Sequence, residues 1–318
     1  ANDYCQYDNL ITLLAGPLGQ EGLLLLKEKF ESLAADQPKP AGKDKRRVIG
    51  WSSRGAIYED EIALRRHAHL VQSALTEIAD ALGDVDGYVS RFSKEEQANP
   101  AIAARIAERL LAQKRADDAM IALTKAEGPR KRGGYWPDWD RVRIDALDAL
   151  DRPEEAQAMR WTLFEILLDA GYLKTYLKKL PDFDNDEPEE RALAHAAAFS
   201  DFQQGLGFLI MWPAFDAAAT MIHSRRAELD GDHYGILTEA ADALEAKHPL
   251  AATLALRAMI DFALEKARTK RYPHAARYLQ TCADLAKRIA DFGPHPDHES
   301  YLVALKARHG RKAGFWHA

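Results

Sequence analysis

A short phrase that occurs twice limits the fold of this chain more than any other feature. Residues 110–119 read Leu-Leu-Ala-Gln-Lys-Arg-Ala-Asp-Asp-Ala, and residues 147–156 read Leu-Asp-Ala-Leu-Asp-Arg-Pro-Glu-Glu-Ala. In each copy an amphipathic helix ends at an arginine, and two acidic residues and an alanine follow. Arg115 and Arg152 are 37 residues apart. This period is typical of stacked helix pairs of the tetratricopeptide kind.

The remainder of the sequence also predicts helices joined by short turns. Proline stands at predicted helix starts at Pro100, Pro249 and Pro273, where its missing N–H is tolerated. We predict an all-α fold, an irregular α-solenoid of antiparallel helix pairs that forms a tetratricopeptide-like right-handed superhelix. We divide it into an N-terminal helical region, 1–98, with a long loop at 36–56, and a helical-repeat array, 99–318.

Three local patterns sharpen this prediction. Residues 16–19, Gly-Pro-Leu-Gly, predict a turn between two N-terminal helices. Residues 250–264 are apolar on nearly all sides, which predicts a helix buried between neighbours. Phe315 and Trp316 are expected to fold back and cover the end of the array, because terminal repeats need a cap.

Composition excludes several classes of protein. The net charge of −6 argues against a general nucleic-acid binder, which usually has a basic face. No run approaches the roughly 18 apolar residues of a membrane span, so we expect no membrane partner. The two cysteines, Cys5 and Cys282, form no disulfide framework or metal knuckle, and we expect Cys282 to be a buried, inert thiol.

The basic, aromatic loop at 128–139 is the first candidate binding site. Its candidate binding residues are Arg130, Arg132, Tyr135, Trp136 and Trp139. Cations interleaved with aromatic rings can hold single-stranded nucleic acid by charge and stacking. The alternative, which we favour because the chain is acidic, is that Trp136 and Trp139 pack against a helix start while the basic residues stay solvated.

Trp51 is the second candidate binding residue. It lies in Gly50-Trp-Ser-Ser-Arg-Gly55, a glycine-bracketed segment of the long predicted loop. Such a loop could contact a ligand. The interpretation that we favour is that the ring of Trp51 pins the loop to the body of the protein.

The sequence contains no motif that assigns an enzyme activity. Glycine-rich phosphate loops, the Gly-x-Ser-x-Gly elbow and His-Glu-x-x-His are all missing. His295 and His298 could hold a metal with Asp297 and Glu299, but we favour ordinary helix capping by this segment. The acids at 182–186 fail as a calcium loop, because Glu187 stands where a glycine is needed. We therefore predict no catalytic residue, no metal and no cofactor, and leave catalytic activity undecided.

Several phrases together resemble a known family. They are residues 84–88 (Asp-Val-Asp-Gly-Tyr), 156–161, 176–185, 190–195, 240–250, 273–278 and 309–316. The chain resembles largely alphaproteobacterial proteins with a helical C-terminal region of unknown function. The resemblance implies a helical, tetratricopeptide-like fold in the bacterial cytosol, and additional sequence before the equivalent of Ala1. It implies no activity, ligand or site residue.

Three hypotheses for function follow. The first, which we favour, is a helical-repeat interaction module or scaffold that binds a protein or peptide. The second is a nucleic-acid-associated protein that uses basic clusters at 43–47, 130–132 and 308–312 with Trp136 and Trp316. The third is an unrecognised metal-dependent enzyme around His295, His298 and His309.

Overall fold

The structure, a computed structural model, describes residues 9–39, 46–53, 55–128, 136–181 and 186–318. The chain is 74% helix and 3% strand. The predicted helical fold is therefore confirmed. The chain forms two compact units, Ala1–Ala156 and Gln157–Ala318. The boundary that the sequence predicts between residues 98 and 99 stays a prediction.

Unit 1 contains a two-stranded sheet and seven helices within its described residues. Their bounds are α1 Leu10–Ala35, β1 Val48–Ser52, β2 Gly55–Tyr58, α2 Glu59–Ala81, α3 Val85–Val89, α4 Lys94–Gln97, α5 Pro100–Ala112, α6 Ala116–Lys125 and α7 Pro137–Ala149. The next helix, α8, spans Pro153–Leu167, and the division between the two units falls inside it.

Helix α1 is broken at Gly19, as the Gly-Pro-Leu-Gly segment predicts. The backbone there has φ 60° and ψ −178°, a conformation that is essentially restricted to glycine. Leu23 of α1 is buried, and Phe30 and Leu33 pack on the α2 residues around Ile78. By length and composition alone, α1 is apolar enough to cross a membrane, and only 6% of its apolar window is buried. The prediction that no segment is long and apolar enough to span a membrane is therefore wrong for α1, by length and composition.

The long predicted loop at 36–56 is partly wrong, because β1 and β2 form an antiparallel hairpin. Trp51 pairs with Ala56 across it, and Gly55 adopts a positive φ of 116° at the turn. Val48, Ile49 and Trp51 are residue types that favour strands. The loop prediction rested on the prolines, glycine and charge at 37–47, whereas residues 48–58 form two short strands.

The repeated phrase corresponds to one turn geometry built twice in unit 1. Lys114 and Asp151, which are 37 residues apart, both adopt left-handed backbone conformations with φ 59° and 55°. The N–H groups of Arg115 and Arg152 donate to the carbonyls of Leu110 and Leu147, at 2.9 and 3.0 Å. This is the Schellman pattern, which satisfies the last carbonyls of a helix.

The acids and the alanine of the phrase also have equivalent roles in both copies. Arg115 pairs with Asp118 at 2.8 Å, and Arg152 pairs with Glu155 at 2.6 Å. Ala119 is fully buried, and so is its counterpart Ala156. The same turn follows two helices outside the phrase, with Gly83 after α2 and Ala267 after Pro249–Glu265 in the left-handed position.

Unit 2 is a continuous series of helices around one core. After α8 the bounds are α9 Ala170–Lys178, α10 Asp186–Ala197, α11 Phe202–Met211, α12 Phe215–Ser224, α13 Tyr234–Leu244, α14 Pro249–Glu265, α15 Tyr272–Ala286, α16 His298–His309 and α17 Ala313–Trp316, with 3₁₀ turns at Arg226–Glu228 and Thr269–Arg271. Eleven of the 17 residues of α14 are buried. The predicted buried helix is therefore confirmed.

The C-terminal residues fold back onto unit 2 as expected. Phe315 is 2% exposed, and its ring lies edge-on to Tyr272 of α15 with centroids 6.2 Å apart. The indole N–H of Trp316 donates to the carbonyl of His309, the last residue of α16, at 3.0 Å. Helix α17 thus covers α15 as well as the end of α16.

Candidate functional site

A groove in unit 2, between α13 and α15, is the candidate binding site. Its volume is about 580 Å³, which is within the usual range for ligand sites. We call it the α13–α15 groove, and it is lined by Gly231, Tyr234, Gly235, Thr238, Glu239, Met259, Ala263, Lys270, Arg271, His274, Ala275 and Tyr278.

The floor of the groove is apolar and rigid. Met259 and Ala263 of α14 form it, and both are buried. At one end the hydroxyl of Thr238 lies 3.2 Å from the hydroxyl of Tyr278, which links the two walls. The Thr238 hydroxyl also lies 3.6 Å from the sulfur of Met259. The walls and the floor therefore hold one another in place.

The other end of the groove carries positive charge. The guanidinium of Arg271 lies 4.6 Å from the ring centre of Tyr234 and donates to Asp232 at 2.9 Å. Lys270 is exposed and has no ion-pair partner in the part of the chain that the structure describes. The first turn of α15 contains no acidic residue. Because a helix N-terminus is itself the positive end of the helix dipole, these cations reinforce it.

His274 adds a defined hydrogen-bond donor at this end. Its Nδ1 lies 2.8 Å from a guanidinium nitrogen of Arg277. Arginine can only donate, so Nδ1 must be the acceptor and Nε2 carries the proton of the neutral ring. The exposed ring of Tyr234, 56% accessible, completes an end that combines donors with one aromatic face. Sequence reasoning missed this groove, because its walls come from residues about 40 positions apart in the chain.

The predicted loop site is only partly described. Arg130, Arg132 and Tyr135 lie outside the described residues. Trp136 is half-buried and immediately precedes α7. Trp139 is 2% exposed, and its indole N–H donates to the carbonyl of Leu123 at 3.2 Å. Trp139 therefore packs inside unit 1 and offers no ring face to a partner, so we remove it from the candidate binding residues.

Trp51 differs from the interpretation that we favoured. Its side chain is 78% exposed on β1, next to the exposed Ile49. A ring so accessible does not pin the segment to the body of unit 1. Trp51 stays a candidate contact residue, on a hairpin rather than on a loop.

The C-terminal basic cluster is engaged within unit 2. Arg308 pairs with Asp261 at 3.3 Å and with Glu265 at 3.2 Å. The ammonium of Lys312 donates to the carbonyl of Leu264. In the N-terminal cluster, Arg46 pairs with Asp60 at 3.1 Å. These cations neutralise carboxylates and cap helix carbonyls of the chain itself, which leaves less charge for phosphates.

The histidines proposed as metal ligands lie in a cationic environment. Among the described residues, no group of three or more His, Cys, Asp or Glu side chains could hold a metal ion. Burial lowers the pKa of His298, and the charge of Arg257 lowers it further. A cation would meet the same repulsion. Cys282 is fully buried, as expected, and burial raises the pKa of its thiol to about 12.

Comparison with known proteins identifies a family. The profile of a family of unknown function, DUF6880, matches residues 1–318. The chain belongs to this family. No curated protein and no solved structure matches this DUF6880 chain. Its function is therefore argued from the groove and the surrounding side chains.

Proposed function

We propose that this DUF6880 protein is a helical-repeat interaction module whose α13–α15 groove binds a short acidic peptide segment of a partner protein. One observation carries the proposal: an apolar floor leads to an end where Lys270, Arg271 and His274 meet the N-terminus of α15. An apolar side chain of the peptide would lie on Met259, and a carboxylate would lie against the cations.

The shape of the groove favours a peptide segment over a large flat partner. A volume of about 580 Å³ holds a few side chains, and the two tyrosines supply amphipathic contact area. Tyr234 already stacks with Arg271, so little side-chain entropy is lost when a peptide covers the pair. Glu239 lines the groove, is exposed and would repel an acidic side chain of the peptide. This repulsion favours the orientation that places the acidic side chain of the peptide at the cationic end.

The finer architecture is part of the proposal. The four helix ends that share one left-handed turn support a tetratricopeptide-like superhelix of helix pairs, because repeated turns give repeated helix crossings. A bacterial, cytoplasmic setting is also proposed, on the resemblance to the alphaproteobacterial family.

The test is a random dodecapeptide display library selected against the purified full chain. We expect enriched peptides that combine one or two acids with a large apolar residue. Tyr234→Ala and Lys270→Glu should each weaken binding of the enriched peptide by about tenfold or more, since both remove contacts at the cationic end of the groove that the peptide would cover. Binding is measured by fluorescence anisotropy of a labelled peptide.

Lys266→Glu is the matched control. Lys266 is an exposed cation at the end of α14, and it does not line the groove. Lys266→Glu changes the charge of the chain by the same amount as Lys270→Glu. The affinity of the Lys266→Glu chain for the enriched peptide should stay within about twofold of the affinity of the original chain. A selection that gives no consensus sequence overturns the proposal. A consensus peptide that binds the Tyr234→Ala chain as tightly as the original chain also overturns it.

The other two hypotheses are not carried forward. The nucleic-acid hypothesis requires free cations, and Arg308 and Lys312 are used inside unit 2, whereas its residues 43–45 and 130–132 lie outside the described part of the chain. The metal hypothesis requires ligands that converge without cations nearby, whereas His295 and His298 flank the carbonyl that binds Arg257.

A further inference from the structure

A buried arginine in unit 2 lacks an acidic partner. Arg257 of α14 is 1% exposed and forms no ion pair in the described part of the chain. Its Nη1 donates to the carbonyl of Pro296, in the turn before α16, at 2.7 Å. Its guanidinium also lies 4.3 Å from the ring centre of Tyr301 and 5.7 Å from that of Phe292. One edge of the guanidinium is thus fixed to the turn.

The other edge of the same guanidinium has no hydrogen-bond partner. Both Nε and Nη2 of Arg257 are buried and unpaired. These two nitrogens direct parallel N–H groups along one edge, which is the pair that grips a carboxylate or a phosphate with two hydrogen bonds. Buried charged donors without acceptors are strongly unfavourable, and such a group in a folded protein calls for an explanation.

Two histidines and a second arginine lie close to the guanidinium of Arg257. His295 and His298 lie on either side of Pro296, and Nδ1 of His298 is also buried without a partner. The ring of His223 stacks against that of His295, with centroids 6.1 Å apart. The positive charge of Arg226 is close enough to lower the pKa of His295, after the larger effect of burial.

The nearby acids are already engaged. Asp261 accepts from the hydroxyl of Tyr301 at 3.2 Å and from Arg308 at 3.3 Å. Asp297 accepts from the backbone N–H of Ser300 at 2.7 Å and caps α16. Neither carboxylate hydrogen-bonds to Arg257. The unpaired edge of Arg257 is therefore not neutralised by a hydrogen-bonded carboxylate.

The edge lies one layer below the protein surface. Pro296, whose carbonyl binds Arg257, is exposed, and His295 and His298 are half-buried. His223 and Arg226 are exposed beside them. Because Nε and Nη2 of Arg257 are buried, a solute would have to pass the exposed turn at 293–297 to reach them.

We propose that a small oxyanion, a phosphate or a carboxylate group, binds between the Nε–Nη2 edge of Arg257 and the turn His295–His298. Arg226 and the two imidazoles complete its coordination. The competing explanation is that Arg257 only locks the turn through Pro296 and Tyr301. The two explanations differ in whether an anion binds saturably. The site is separate from the α13–α15 groove, so it does not depend on the proposed function.

The experiment titrates the full chain with sodium phosphate and with sodium acetate, at an ionic strength held constant with sodium chloride. Isothermal calorimetry should show saturable binding of at least one oxyanion, and the melting temperature should rise with its concentration. Saturation by phosphate alone assigns a phosphoryl ligand, and saturation by acetate as well assigns the wider carboxylate class.

Variants locate the site. Arg257→Lys keeps the charge but loses the two-pronged edge, so affinity should fall about tenfold or more. The exposed Arg226→Gln should weaken binding about threefold to tenfold without loss of folding. If Arg257→Lys fails to fold, His298→Gln replaces it, with the same expected direction. Lys270→Glu should weaken peptide binding in the groove by about tenfold or more and leave oxyanion binding unchanged.

Two results would overturn the proposal. One is a titration that stays linear with both anions. The other is saturable binding that Arg226→Gln and His298→Gln leave unchanged, because the anion would then bind elsewhere. Either result leaves the groove and its peptide test unaffected.

Discussion

Lysine and aspartate occupy left-handed backbone positions at Lys114 and Asp151, where glycine is the usual residue. A side chain at such a position costs roughly 1 kcal/mol relative to glycine, partly offset by the greater freedom of glycine in the unfolded chain. We expect Lys114→Gly and Asp151→Gly each to stabilise unit 1 by about 0.5 kcal/mol. Urea denaturation followed by circular dichroism measures this.

Lys125→Gly provides the comparison for these two variants. Lys125 is exposed near the end of α6 but has ordinary helical geometry, so glycine there should destabilise by about 0.5–1 kcal/mol. Equal destabilisation by all three glycines would contradict the argument from the left-handed turn.

The histidines near Arg257 give the stability of unit 2 a pH dependence. Burial lowers the pKa of His295 and of His298 below 6.5, and the charge of Arg257 adds to this effect in both. The unfolded chain therefore binds protons more readily than the folded chain. The contribution of these two neutral histidines to the stability of unit 2 is complete above their unfolded pKa of about 6.5. It is lost as the pH falls through their lower pKa in the folded chain.

We expect the urea midpoint of the full chain to fall between pH 7.5 and pH 5, and His298→Gln to reduce that fall. His317→Gln, which alters an exposed histidine at the C-terminus, should leave the pH profile unchanged. A profile that is flat for the original chain, or equally steep for His298→Gln, would contradict the burial argument.

At the scale of elements, α14 approaches the chain before α13 closely enough to require glycine. A Cβ atom at Gly231 would overlap the carbonyl oxygen of Ala258 and lie 2.6 Å from Cβ of Phe262. Gly235, four residues later, has open space where its Cβ would be. We expect Gly231→Ala to destabilise unit 2 by about 3 kcal/mol, because backbone must move.

Gly235→Ala should instead stabilise by about 0.5–1 kcal/mol, because alanine favours the helical backbone of α13. Thermal denaturation of both variants measures the contrast. A Gly231→Ala chain as stable as Gly235→Ala would mean that α13 and α14 can separate at little cost.

The elements that sequence reasoning predicted are those with local signals. The repeat at Arg115 and Arg152, the break at Gly19 and the buried helix at 250–264 each follow from spacing within a short window. The hairpin at 48–58 was missed because the loop prediction rested on the prolines, glycine and charge at 37–47 and not on the strand-forming Val48 and Trp51. The left-handed turns at Lys114 and Asp151 were missed because the residues there are not glycine.

The candidate sites could not be predicted in this way. Tyr234 and Arg271 meet across the groove, and Arg257 meets Pro296, only because helices about 40 residues apart pack together. No periodicity links such pairs. Trp139 follows the favoured alternative, since this aromatic residue is part of the packed interior.

At the scale of the whole molecule, the position of the division predicts which fragments fold. Arg109 of α5 forms a two-pronged pair with Asp80 at 2.6 Å and stacks over Tyr88 at 4.1 Å. A fragment that starts at residue 99 loses both partners, whereas one that starts at Pro153 keeps all the described contacts within unit 2.

We expect the 153–318 fragment to melt in one cooperative transition. The 99–318 fragment should show rapid tryptic cleavage between residues 99 and 152, because α5 has lost its packing against α3. Circular dichroism and timed proteolysis with mass spectrometry measure the two properties. A 99–318 fragment that resists trypsin while 153–318 is unfolded would favour the boundary between residues 98 and 99.

The buried helix α14 has a consequence for the order of events during folding. With eleven buried residues it has almost no face that water can solvate, so it gains little stability before its neighbours are in place. Its backbone amides should therefore exchange with deuterium only when unit 2 opens as a whole, whereas those of α17 should exchange through local fraying. Helix α14 should therefore become stable only together with the helices that pack against it.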